Sequence, residues 1–178
     1  MAAENNNTKL LDILMTNNRI QILSYALCNC RKLKEINIVC SVLEISAFAF
    51  ENCTSLEQIT LPSSVKKIGK FCFNNCKSLK KVTIPSSVTT LEIYLFKNCG
   101  SLETIDGSFS ILENCCFYGC KSLSKINNKS AITEIGERVF DGCSSLKSID
   151  FSSVKKMNAN ALSNCSIELF AILPFSTT

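Results

Sequence analysis

The chain has 178 residues, a formal net charge of +4 and 46% hydrophobic residues. That is long and apolar enough for a real core, and unlike a disordered chain. The charge falls well short of the concentrated basic patch of a nucleic-acid binder. With no His and no Trp the sequence lacks the usual general base and the commonest zinc ligand, so no catalytic residue, metal site or cofactor is expected.

In chain order, residues 1–18 come first (MAAENNNTKLLDILMTNN). Leu10, Leu11, Ile13, Leu14 and Met15 are apolar, and Thr8 is placed to cap a short helix. This predicts an N-terminal helical cap. The stretch has no basic n-region and no long apolar h-region, so it does not read as a secretory signal. No run in the chain approaches the ~18 apolar residues of a membrane span. On the sequence alone the chain is expected in the reducing cytosol.

Residues 19–173 repeat. Cys30, Cys53, Cys76, Cys99, Cys120, Cys143 and Cys165 are separated by 23, 23, 23, 21, 23 and 22 residues. Three residues after the cysteine stands Leu33, Leu56, Leu79, Leu102, Leu123 or Leu146. Six after it comes an Ile or Val, from Ile36 to Ile149. Three before it stands Leu27, Phe50, Phe73, Phe96, Phe117, Phe140 or Leu162. No amphipathic helix has this period. The pattern predicts a solenoid of about seven coils of 21–23 residues, whose equivalent apolar residues stack into ladders along the axis. In "LEQITLP" and "LKKVTIP" the Ile-x-Leu alternation reads as a short strand, and Pro62 and Pro85 end it. The residue before each repeat cysteine is Asn29, Asn52, Asn75, Asn98, Gly119, Gly142 or Asn164. Asn and Gly tolerate positive φ best, so a left-handed turn residue is expected there. The copy between Cys99 and Cys120 is two residues short and carries Gly107 where other copies have an inward aliphatic. A bulge or kink is expected there. The apolar "IELFAILPF" is expected to close the last coil, ahead of a tail over 174–178. Its edge leaves self-association through the solenoid ends open.

The seven repeat cysteines then occupy one inward, structural position, where a small apolar thiol packs well. Buried free thiols are the first reading, with disulfides between stacked neighbours and a metal site as alternatives. Cys72 and Cys116 share a small buried slot with Ala26, Ala49 and Ala161. Cys28, Cys40 and Cys115 are expected to be partly exposed. Tyr25, Phe48, Phe71 and Tyr94 stand five before the cysteine. They read either as a half-buried coil corner or as an apolar patch for a partner or a second copy.

Units such as "VKKIGKFCFNNCKSLKKVTIPSS" and "ITEIGERVFDGCSSLKSIDFSS" resemble the BspA-like (type 5) leucine-rich repeat, with its Val-x-x-Ile-Gly, Phe and Cys-x-x-Leu-x-x-Ile-x-Leu-Pro positions. Gly69 and Gly136 alone keep that pattern's glycine. The resemblance implies a right-handed leucine-rich-repeat solenoid with a curved sheet, mainly β. It also implies the role of non-catalytic, adhesion-type surface proteins that bind protein partners, hence a cell-surface location. An intracellular scaffold using the same face is the alternative.

The outward side chains of the strand face form the candidate partner-binding surface: Lys34, Glu57, Gln58, Lys80, Lys81, Glu103, Lys125 and Lys147. Their signs are mixed and no aromatic interleaves them, which argues against nucleic acid. Glu103 and Asp106 read as surface charge, not as an acid–base pair.

Overall fold

The computed structural model describes residues 21–38, 42–158 and 160–166. The expected N-terminal cap, the C-terminal closure, the tail and Cys40 lie outside the described residues.

Twelve short strands follow one another: β1 (Gln21–Ile22), β2 (Glu35–Asn37), β3 (Glu44–Ile45), β4 (Gln58–Thr60), β5 (Lys67–Ile68), β6 (Lys81–Thr83), β7 (Thr90–Leu91), β8 (Thr104–Gly107), β9 (Ile111–Leu112), β10 (Lys125–Asn128), β11 (Glu134–Ile135) and β12 (Lys156–Met157). The described residues contain no helix. All pairings are parallel. The strands that carry the Ile-x-Leu motif form one five-stranded sheet, in the order β10-β8-β6-β4-β2. The two-residue strands form a second row, split into β1-β3-β5 and β7-β9-β11-β12. Ile36 pairs Ile59, Val82 pairs Ile105 and Ile105 pairs Ile126. The sequence period is therefore the rise of one coil, and each apolar column stacks on itself.

A third ladder of hydrogen bonds runs through the turns. The N–H groups of Tyr25, Leu27 and Asn29 donate to the carbonyls of Ala47, Ala49 and Glu51 in the next coil, at 3.3, 2.8 and 2.8 Å. The intervening N–H groups of Ala26, Cys28 and Cys30 donate three residues back within their own coil. Phe48–Cys53, Phe71–Cys76 and Tyr94–Cys99 repeat the alternation. Backbone N–H groups that point alternately along the axis and back into the coil require unusual dihedrals, and two residues per turn supply them. Those before the cysteine have positive φ as expected, and so do Tyr25, Phe48, Phe71, Tyr94, Cys115 and Arg138 five before it. All lie between 54° and 78°.

Aromatic side chains at positive φ are strained, by about 1–2 kcal/mol each. Stacking offsets this. Ring centroids of Tyr25–Phe48, Phe48–Phe71 and Phe71–Tyr94 are 4.7, 4.8 and 4.6 Å apart, and such pairs contribute roughly 0.5–1.5 kcal/mol beyond burial. The row is thus the coil corner of the first reading, half-buried except at Tyr25, which is 58% exposed.

Inside, Phe50, Phe73, Phe96, Phe117 and Phe140 form a buried stack with centroids 5.4–5.7 Å apart. Beside it run Cys53, Cys76, Cys99, Cys120 and Cys143, all fully buried, while Cys30 and Cys165 at the ends are half-buried. The eleven described cysteines are free. The ladder thiols from Cys53 to Cys165 each donate to a carbonyl of the preceding coil, among them Cys76 to Phe50 at 3.2 Å and Cys99 to Phe73 at 3.0 Å. Cys72 and Cys116 fill the small slot as expected. Cys115 corrects the reading: it is buried, at the position that follows Tyr94 in the aromatic row.

The short copy also differs from expectation. It forms no bulge. β8 runs through Gly107 and pairs with β10 in unbroken register, from Thr104↔Lys125 to Gly107↔Asn128. The lost aliphatic is replaced by Phe109, which stands in the column of Val42, Val65 and Val88. A Cβ on Gly107 would meet the Phe109 ring at 2.8 Å. A larger side chain two residues on has taken the volume that glycine vacated.

Candidate protein-interaction face

The outward residues of the five-stranded sheet fall into columns because each coil repeats the one before. In the first column the backbones of Lys34, Glu57, Lys80, Glu103 and Ser124 are linked rung to rung. The N–H of Glu57 donates to Lys34 at 2.7 Å, Lys80 to Glu57 at 3.3 Å, Glu103 to Lys80 at 2.8 Å and Ser124 to Glu103 at 3.0 Å. Charge sign alternates up this column, from Lys34 to Glu103. The second column reads Glu35, Gln58, Lys81, Thr104 and Lys125 by register. Lys147 stands exposed further along the first column.

The structure pairs several of the candidate residues across coils. Lys80 Nζ lies 3.2 Å from Glu57 Oε2. Lys81 Nζ lies 2.7 Å from Asp106 Oδ2, and Asn127 Nδ2 donates to Asp106 Oδ1 at 2.6 Å. The hydrogen bonds from Lys81 and Asn127 hold the Asp106 carboxyl below the usual carboxylate range. Lys34, Lys125 and Lys147 have no carboxylate within 4 Å among the described residues. The face is therefore a lattice of exposed charges in which Glu57, Lys80 and Lys81 are paired across coils and Lys34, Glu103, Lys125 and Lys147 have no ion-pair partner among the described residues. Exposed pairs contribute only about 0–1 kcal/mol each to folding, so they remain free to exchange partners. The outward position of these residues follows from the strand alternation, whereas the Lys80–Glu57 and Lys81–Asp106 pairs depend on the rung spacing.

On the turn side, asparagine side chains form a second ladder. Asn52 donates to Asn29, Asn75 to Asn52 and Asn98 to Asn75, at 3.2, 3.0 and 3.1 Å. The Asn-x-Ser/Thr motifs at Asn52, Asn128 and Asn164 all have their amide nitrogens engaged. Lys97 Nζ sits over the rings of Tyr94 and Tyr118, at 4.7 and 5.6 Å.

No group of three or more Cys, Asp or Glu is placed to hold a metal among the described residues. The ladder thiols are poor nucleophiles and ligands, because burial pushes them up, Cys53 to about 12 and Cys165 to about 11. Half-exposed Cys28 is raised too, by burial and by Glu51. No helix of the described residues is long and apolar enough to cross a membrane.

A parallel β-solenoid with inward Leu, Ile, Phe and Cys ladders and one polar sheet face is the architecture of a leucine-rich repeat. The chain belongs to the BspA type leucine rich repeat family, whose model matches residues 4–113 and 104–177 in six copies. Solved structures agree. A leucine-rich repeat protein from Bacteroides ovatus is 26% identical over 78% of this chain and 48% of its own, with a TM-score of 0.56. The T. pallidum leucine rich repeat protein is 25% identical over 71% of both chains, with a TM-score of 0.54. One from Eubacterium ventriosum shares the fold at 23% identity and a TM-score of 0.62, over 79% of this chain and 45% of its own. The chain thus spans about half the length of the Bacteroides and Eubacterium proteins. No curated protein matches it.

Proposed function

We propose that the chain is a non-catalytic recognition module of adhesion type. It binds a protein partner through the outward columns of the five-stranded sheet, centred on Lys34, Glu57, Gln58, Lys80, Lys81, Glu103, Lys125 and Lys147. The observation that carries this reading is the register of these residues. A regular array of exposed charge, alternating in sign along its first column from Lys34 to Glu103, fits a partner by electrostatic complementarity, which governs specificity and on-rate, and solenoids present such extended faces to partners.

A second reading, an intracellular scaffold using the same face, is favoured by the free cysteines, since thiols persist in reducing compartments. Two measurements test these readings. A membrane-impermeant biotin reagent applied to intact source cells labels the chain under the adhesion reading and spares it under the scaffold reading. Immobilised wild-type protein and a Lys80→Glu/Lys125→Glu variant are then compared for retained partners by mass spectrometry. Identical retained sets would sink the sheet-face assignment in either compartment.

A further inference from the structure

We infer that the short copy opens a binding groove for an acidic, leucine-rich stretch of a partner protein, a proposal that rests on the protein-binding reading above. The groove lies where β4, β6 and β8 end, and has a volume of about 300 Å³, at the small end of ligand sites. Its origin is the missing residue pair. In the two preceding coils the chain leaves the sheet through Leu61-Pro-Ser-Ser-Val65 and Ile84-Pro-Ser-Ser-Val88. In the short copy Gly107-Ser-Phe109 makes the same passage with two residues fewer. The shortened passage is held in place, because Asn128 clasps the backbone of Phe109 at both its N–H and its carbonyl.

The floor is apolar. It is made by Leu61, Ile84 and Pro85, with Ile84 only 2% exposed. Exposed Ser63, Thr83 and Ser86 and half-buried Ser108 also line it and bring hydroxyl groups. One carboxylate and one ammonium line the groove, Asp106 and Lys129. They are not equivalent. Both oxygens of Asp106 are engaged, by Lys81 and Asn127. Lys129 is exposed and has no carboxylate within 4 Å among the described residues. Lys125, exposed on the same sheet, also acts on Asp106 from nearby. The open charge of the groove is therefore positive, over an apolar floor with hydroxyl donors in its lining. A short acidic segment with an interleaved aliphatic side chain satisfies all three features. A basic segment would face Lys129 with no available carboxylate to compensate.

The test uses the whole chain, labelled with ¹⁵N and titrated with acetyl-Glu-Leu-Glu-Leu-amide, with the Gln-Leu and Lys-Leu analogues as controls. Shifts are expected at Gly107, Ser108 and Lys129 with the acidic peptide. The neutral peptide should bind at least fivefold more weakly and the basic one not at all. Lys129→Glu should abolish the response, while Lys70→Glu, the same charge change at an exposed residue on the turn side, leaves it intact. Equal shifts with all three peptides, no shift with any, or a response that survives Lys129→Glu would overturn the groove. A response confined to the strands of the sheet would overturn it while leaving the sheet-face reading in place. So would binding of a heparin oligosaccharide at the groove without binding of the acidic peptide.

Discussion

The side chain of Asn128 takes the place of a backbone partner for Phe109: Oδ1 accepts the Phe109 N–H at 2.9 Å and Nδ2 donates to the Phe109 carbonyl at 2.6 Å. The two residues are 19 apart, and together they close the copy that lost two residues. Asn128→Ala should therefore cost about 2–3 kcal/mol, since it leaves two part-buried backbone groups without partners. Equilibrium urea unfolding measures this. A loss below about 0.5 kcal/mol, the usual effect of a surface substitution, would show that the clasp does not hold the short coil.

Gly107 and Phe109 should behave as one unit. Gly107→Ala places a methyl 2.8 Å from the Phe109 ring and 3.2 Å from Ile84, overpacking worth about 1–3 kcal/mol. Phe109→Val restores the residue type of the neighbouring coils but leaves a void beside glycine. In the double variant the two faults compensate, so a double-mutant cycle should return a coupling of about 1 kcal/mol or more. Additive effects would contradict size exchange between these positions.

The aromatic row makes a prediction that contact counting would not. At Phe71, alanine and glycine both delete the ring and its two stacking partners. Phe71 has a φ of 58°, which alanine tolerates poorly and glycine freely. Phe71→Gly should therefore be more stable than Phe71→Ala by about 1 kcal/mol, the reverse of their order in an ordinary extended or helical site. Thermal unfolding of the two variants decides it, and alanine proving the more stable would remove the left-handed assignment.

These positions show what was legible in the sequence. The inward columns could be read directly, because burial selects one residue type and repeats it once per coil. The left-handed residue before each cysteine was legible too, since Asn and Gly are the residues that tolerate it. The second left-handed position was hidden, because its occupants are aromatic and stacking between coils overrides their local preference. Gly107 suggested a bulge because the sequence does not show that Phe109 and Asn128, one before and one after the next cysteine, converge on it. The candidate face was named residue by residue, but the Lys80–Glu57 and Lys81–Asp106 pairs and the groove beside them depend on how adjacent coils register.

Alkali should unfold the protein through its thiols. Unfolded cysteines titrate near 9.0, whereas burial raises Cys53 to about 12 and lifts Cys76, Cys99 and Cys120 well above the ordinary value. Below pH 9 both states hold the proton and the stability is fully present. Above it the unfolded chain releases protons that the native core retains, so stability falls with rising pH across the window from 9 to about 12, by about 1 kcal/mol per pH unit for each such thiol. Several together should unfold the chain near about pH 10 under reducing conditions. The alkaline midpoint, followed by circular dichroism, should rise in a Cys76→Ala/Cys99→Ala variant. A midpoint that does not move would show that other groups govern the transition.

One column of side chains defines the fold: the coils stack in register so that the repeat cysteines lie inside as free thiols. Residue-resolved alkylation with iodoacetamide at pH 8, read by mass spectrometry across a urea series, tests this most directly. Cys53, Cys76, Cys99, Cys120 and Cys143 should stay unlabelled in the native protein and become reactive together, at the midpoint of global unfolding. Rapid labelling of any of the five without urea, or disulfides among them in the native chain, would contradict the stacked coil.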